Sequence, residues 1–145
     1  MLYDKDIREP LFEFLENRYG KVRIIEEKQI GKSRADAMMV SEDALFGIEI
    51  KSDADTYTRL ERQVRDYNRF FDYNLIAVGT SHAESIEEHV PEYWGIITVD
   101  EGDIPDFYML REPKRNPKRE KKVLFRNQMS FLWRPELVHI QELNR

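Results

Sequence analysis

The chain contains no cysteine. Disulfides, thiolate metal sites and a cysteine nucleophile are therefore excluded. It also lacks any apolar run of membrane-spanning length. Its opening, Met1-Leu2-Tyr3-Asp4-Lys5-Asp6, is polar and leads into an amphipathic pattern, so it does not read as a secretory leader. The expected location is the cytoplasm, with no membrane partner. Histidine is scarce: His82, His89 and His139 are the three, and their spacing does not suit a zinc site. No phosphate-binding glycine loop or dinucleotide fingerprint is present. Ser81-His82 has no G-x-S-x-G around it, which excludes a hydrolase elbow there.

What remains is enough for one domain. The chain has 145 residues, 41% hydrophobic and 12% aromatic, which supports a real core. Charged residues make up 35%, and the net charge is −5, which argues against a generic nucleic-acid coat. The charge is unevenly placed. Residues 111–122 carry seven bases and two acids, a net of +5, which leaves −10 on the remainder. That segment reads either as a phosphate-binding patch or as a solvated loop.

Hydrophobic spacing predicts a first helix capped by Asp4 or Asp6, with Ile7, Leu11, Phe14 and Leu15 buried and Tyr19-Gly20 ending it. A strand over Lys21–Gln29 follows, then a hairpin with Ala37–Val40 and Ala44–Lys51 as its arms. Asp53–Thr56 offers a cap for a second helix reaching Phe71, with Leu60, Val64, Tyr67 and Phe71 on one face. Leu75–Gly79 and Trp94–Val99 read as buried strands, with a short helix from Ala83 to His89 between them and a further strand near Phe107–Leu110. Residues 1–110 are expected to form the core domain and 111–122 a basic loop. Residues 123–145 are expected to pack on the same domain, with a short helix from Pro135.

The hairpin carries the chemistry. Antiparallel pairing places Asp36, at the open end of one arm, near Glu49 or Lys51 at the end of the other. Strand alternation puts Glu49 and Lys51 on one face. A hard cation such as Mg²⁺ or Mn²⁺ takes one or two carboxylates, here Asp36 and Glu49, and the carbonyl of Ile50 offers a further oxygen. A cation held there lowers the pKa of a water beside a phosphate. Lys51 would orient or deprotonate that water, or stabilise the developing negative charge. Ionised groups at the end of an otherwise apolar strand rarely lack a partner or a purpose.

Asp36 followed by Glu49-x-Lys51 on consecutive strands after an opening helix resembles the PD-(D/E)XK nuclease superfamily. Gln63-x-x-x-Tyr67 is similar to the QxxxY element of its RecB-type branch. The run from Ser33 through Asp53 to Ile96 also resembles a small bacterial family of nuclease-like proteins of unknown role. The resemblance covers roughly Asp4 to Val99. It implies an α/β restriction-endonuclease-like core, a mixed four- or five-stranded sheet flanked by helices in αβββαβ order. It also implies an Mg²⁺- or Mn²⁺-dependent deoxyribonuclease acting in DNA repair, recombination or defence. Asp36 and Glu49 would be its metal ligands, Lys51 the catalytic amine, and Gln63 a residue over the site. Ala35 stands where the motif has proline. The acid that many members carry on the first helix is not evident, since Glu9, Glu13 and Glu16 fall on the polar face. Glu27 is another possible acid.

Arg34 is expected to contact phosphate or to pair within its turn, and Lys114, Arg115, Lys118 and Arg119 are the other candidate nucleic-acid contacts. Arg62, Arg65 and Arg69 read as a solvated face pairing with Glu61 and Asp66. Tyr67 reads as a core residue. The rival readings are a non-catalytic nucleic-acid-binding module and a protein-interaction domain. A homodimer would allow both strands of a duplex to be cut at once.

Overall fold

A computed structural model describes residues 3–52, 55–100 and 104–117. Within them α1 spans Asp4–Tyr19, β1 Arg23–Ile30, β2 Ser33–Val40, β3 Leu45–Lys51, α2 Leu60–Phe70 and β4 Tyr73–Gly79. A 3₁₀ turn at Thr80–His82 runs into α3, Ala83–Ile86, followed by β5, Gly95–Asp100, and β6, Asp106–Arg111. The strands lie in one sheet in sequence order. β1, β2 and β3 pair antiparallel, β3, β4 and β5 parallel, and β6 antiparallel to β5. The sheet is mixed, as expected, but has six strands rather than four or five. β6 closes one edge with alternating exposed and half-buried residues, the pattern of a strand wet on one face.

The two parallel crossovers proceed in the same direction across the sheet, so both of their helices pack on one face. Leu60, Val64, Tyr67 and Phe70 of α2 and Ile86 of α3 cluster there with Met38, Ile76, Val78, Trp94 and Ile96. Ile7, Leu11 and Leu15 of α1 cover the other face with Ala37, Met39, Ile48, Ile50, Leu75, Ala77 and Ile97. β4 supplies alternate residues to both clusters, which explains its unbroken apolar run. Gly47 lets α2 approach β3. A Cβ there would stand 2.3 Å from the Phe71 ring and 2.6 Å from the Tyr67 ring. That contact seats Tyr67 deep against the sheet.

Three local details differ from the sequence-based expectation. Tyr3 is the cap residue of α1, and Asp6 contributes from inside the first turn, its carboxylate accepting the Tyr3 N–H at 3.1 Å. Asp55 does not cap α2. It accepts the N–H (2.8 Å) and hydroxyl (3.0 Å) of Ser52, closing the loop that leaves β3. α3 stops at Ile86 instead of His89.

The described part of the basic stretch is not a free loop. Lys114 donates its N–H to the Tyr93 carbonyl at 2.9 Å, and Asn116 donates to the Asp72, Asn68 and Phe71 carbonyls at 2.8, 2.7 and 3.2 Å. Asn116 is buried as a result. Lys118, Arg119 and the expected C-terminal helix lie outside the described residues. Among those described, no helix is long and apolar enough to cross a membrane.

Candidate functional site

The hairpin ladder between β2 and β3 runs from Val40–Leu45 to Ala37–Ile48 and goes no further. Beyond it the strands part, and side chains replace the missing backbone bonds. The Asp36 carboxylate accepts the Ile50 N–H at 2.8 Å. The Tyr67 hydroxyl accepts the Asp36 N–H at 3.3 Å and lies 3.0 Å from the Ile48 carbonyl. Tyr67 is therefore core, but its hydroxyl also bridges the two strands where they split. Tyr67→Phe should remove this bridge between the Asp36 N–H and the Ile48 carbonyl, at a cost of about 2 kcal/mol. Urea unfolding measures this; a change below the error of the measurement would mean the bridge is dispensable.

A second irregularity faces the first. Glu27, opposite Asp36 on β1, has φ of 56°, which an L-residue seldom adopts. The β1–β2 ladder pairs the residues on either side and skips this pair. Alternation shifts by one residue at the same level: Ala37 and Met39 belong to the α1 side, whereas Ala35 belongs to the α2 side. Backbone distortion of this kind, held in place by surrounding structure, is typical of functional sites.

The split opens into a cleft of about 430 Å³. Asp36, Glu49, Ile50, Lys51 and Gln63 line it, so the structure brings together every residue expected at its centre. Glu49 is 2% and Lys51 7% exposed. The Lys51 ammonium donates to Gln63 Oε1 at 3.0 Å and stands 3.8 Å from Glu49 Oε2. Glu49 Oε1 lies 3.3 Å from the Tyr67 hydroxyl, while Oε2 is buried with no hydrogen-bond partner. Burial, then the hydrogen bond and charge of Asp36, push the Glu49 carboxyl well above the usual carboxylate range, against the opposing pull of Lys51 and Tyr67. Burial likewise raises the Tyr67 phenol, helped by the charges of Glu49 and Asp36.

The structure adds Arg8, which the sequence reading overlooked. Its guanidinium projects from α1 and reaches both the Asp36 carbonyl and Oδ1 at 3.1 Å. It also contacts Asp4 at 2.6 and 3.0 Å, Glu27 at 2.8 Å and Glu26 at 3.4 Å. The Asp4 hydrogen bond and then the charges of Asp4, Asp36 and Glu27 raise its pKa despite its burial. Asp4, one turn before Arg8, and Glu27 both line the cleft. Glu9, Glu13 and Glu16 are exposed, as their place on the polar face suggested. Among the described residues no group of three histidine or carboxylate side chains is set to hold a metal ion by itself.

Basic side chains flank the acids. Lys32 comes from the β1–β2 turn, Arg34 from the start of β2, and Arg59 and Arg62 from the start of α2. Arg34 lines the cleft two residues before Asp36. Arg62 is exposed, as expected, and also borders the cleft, while Arg65 pairs with Glu61 at 3.7 Å. Asp66 is not part of the solvated face: it is buried and accepts a hydrogen bond from Ser33. Lys114 and Arg115 do not reach the site. Arg115 approaches Asp72 at 3.9 Å and lies over the Tyr73 ring, beside Phe46 at the start of β3. The length of that strand, roughly 20 Å, separates this end from Lys51. Trp94 is wholly buried, its indole N–H bound to Asn68, and cannot stack on a base.

Two solved chains show similarity to this structure. One is SfsA of Pyrococcus furiosus, in complex with Ca²⁺, at 14% identity and a TM-score of 0.43. The match covers 76% of this chain and 60% of that one, so this chain spans less than two thirds of it. No curated protein matches the sequence. The family model of bacteriophage P4 protein cII matches residues 1–142, and the chain belongs to that family.

Proposed function

We propose that this chain is a metal-dependent nuclease that hydrolyses phosphodiester bonds in DNA, built as a PD-(D/E)XK enzyme. A role in repair, recombination or defence would suit such an activity. The observation that carries the reading is Glu49 Oε2, a buried carboxylate oxygen that has no hydrogen-bond donor and meets the Lys51 ammonium only at 3.8 Å, in a cleft with basic walls. A buried oxygen without a donor is costly, and a cation would satisfy it. The donors are all hard oxygens, which suits Mg²⁺ or Mn²⁺. Asp36, Glu49 and the Ile50 carbonyl would hold the ion, which would supply charge neutralisation at the phosphate and acidify a water.

The protein's own part follows from its contacts. Gln63 accepts one Lys51 proton and so aims the ammonium along the cleft. Lys51 is then placed to orient the attacking water or to meet negative charge as it develops. Tyr67 and the Ile50 N–H hold the Glu49 and Asp36 carboxylates in register. Arg34, Arg59 and Arg62 would position the strand through its phosphates.

The test is Mn²⁺-dependent cleavage of single-stranded, duplex and branched DNA by wild type and Asp36→Ala. Cleavage by wild type with loss of at least about a hundredfold in the variant is expected. Equal cleavage by both would end the reading. The rival, a non-catalytic nucleic-acid-binding module, has one observation in its favour: protein donors already engage both Asp36 oxygens. Salt-dependent DNA binding without cleavage under any metal would select it.

A further inference from the structure

We propose that Arg8 is a built-in second cation of this site, a positioning residue that confines it to a single divalent ion. The proposal rests on the metal-site reading above, and its test separates the two. One atom carries the argument. Arg8 Nη2 lies 3.0 Å from an Asp4 oxygen, 2.8 Å from Glu27 Oε1 and 3.1 Å from Asp36 Oδ1. Three carboxylates from α1, β1 and β2 thus surround one nitrogen. A hard divalent cation holds its oxygens at about 2.0–2.6 Å, so a contraction of less than about 1 Å would suit one at that point.

The guanidinium is kept in place from several sides. Nε takes the other Asp4 oxygen at 2.6 Å, and Nη1 takes the Asp36 carbonyl at 3.1 Å. Its side chain is only 18% exposed. Arginine retains its charge at any working pH, so this cation is permanent. The left-handed backbone at Glu27 belongs to the same device. In a regular strand Glu26 and Glu27 would point to opposite faces, yet both reach Arg8. Asp36 is the shared wall. Its Oδ1 faces the guanidinium, whereas Oδ2 lies toward Ile50 on β3, the strand that carries the Glu49 oxygen without a hydrogen-bond donor. One fixed and one exchangeable cation would then sit on either side of a single carboxylate.

Mn²⁺ stoichiometry, read from the spin resonance of free Mn²⁺ at constant ionic strength, provides the test. Wild type should bind one ion. Arg8→Gln should bind two, and Arg8→Gln combined with Glu27→Gln should return to one. Arg8→Lys, which keeps the charge, should remain at one. A wild type that binds two ions, or a folded Arg8→Gln that gains none, overturns the proposal. If wild type binds none but Arg8→Gln gains an ion that Glu27→Gln removes, Arg8 keeps its role and the metal reading of Glu49 falls. Should Arg8→Gln fail to fold, Asp4→Asn and Glu27→Gln with Arg8 intact decide instead. Both carboxylates then serve the guanidinium, so Mn²⁺ affinity should stay within twofold of wild type, and a loss of tenfold or more in either overturns the proposal.

Discussion

Lys51→Met should reduce DNA cleavage by about a thousandfold or more while the protein stays folded. Methionine preserves most of the apolar stem that Lys51 threads between β3 and α2, and removes only the ammonium. That group stands 3.8 Å from Glu49, and Gln63 aims it from 3.0 Å. Two effects on metal affinity oppose each other. Loss of the ammonium removes repulsion toward an incoming cation, but it also removes the charge that favours ionised Glu49. Mn²⁺ affinity should therefore change by less than about tenfold, far less than the rate. Single-turnover cleavage measured beside Mn²⁺ binding separates the two. Cleavage within tenfold of wild type would deny Lys51 any part in the chemistry.

Glu49→Gln should make the metal-free protein more stable at pH 8 and abolish stabilisation by Mn²⁺. Burial and Asp36 raise the folded-state pKa of Glu49, whereas the unfolded chain ionises near the ordinary glutamate value of about 4.3. Between those two values the folded state keeps a proton that the unfolded state has released. Wild-type stability must therefore fall as pH rises through that window. Below it both states are protonated and the contribution is fully present. Glutamine has nothing to release, so the difference between the proteins should be small near pH 4 and grow as pH rises toward 8. Urea unfolding in chelator at several pH values measures it. A pH-independent difference would mean that Glu49 is ionised in the folded protein without help from metal.

These two experiments concern residues that were plain in the sequence. Asp36, Glu49 and Lys51 could be picked out because hairpin pairing and strand alternation are local rules, and a charge ending an apolar strand breaks the surrounding pattern, whereas Gln63 came only from the QxxxY resemblance. Every strand from Arg23 to Arg111 was visible in outline for the same reason. Residue patterning marks all six strands, the faintest being the edge strand β6, which buries only one face; the width of four or five came with the family resemblance. Arg8 left no local signal. It is one arginine on a helix whose polar face holds several charges, and its partners lie up to 28 residues away. Lys114 and Arg115 show the opposite error. A run of bases suggests a phosphate patch, but charge density along the chain does not say which end of the sheet it reaches.

The order of apolar and polar residues alone determined that this chain forms a mixed α/β sheet and places two acids and a lysine at one strand end. That holds because periodicity of two or 3.6 residues commits each side chain to a face before any distant contact forms. Tertiary structure decided the rest: that β2 and β3 separate beyond Ala37 and Ile48, that Tyr67 bridges the gap, and that an arginine from α1 enters the acid cluster. Such features depend on how α1 and α2 pack against opposite faces of the same strands. Packing of that kind brings together residues that no short-range pattern connects.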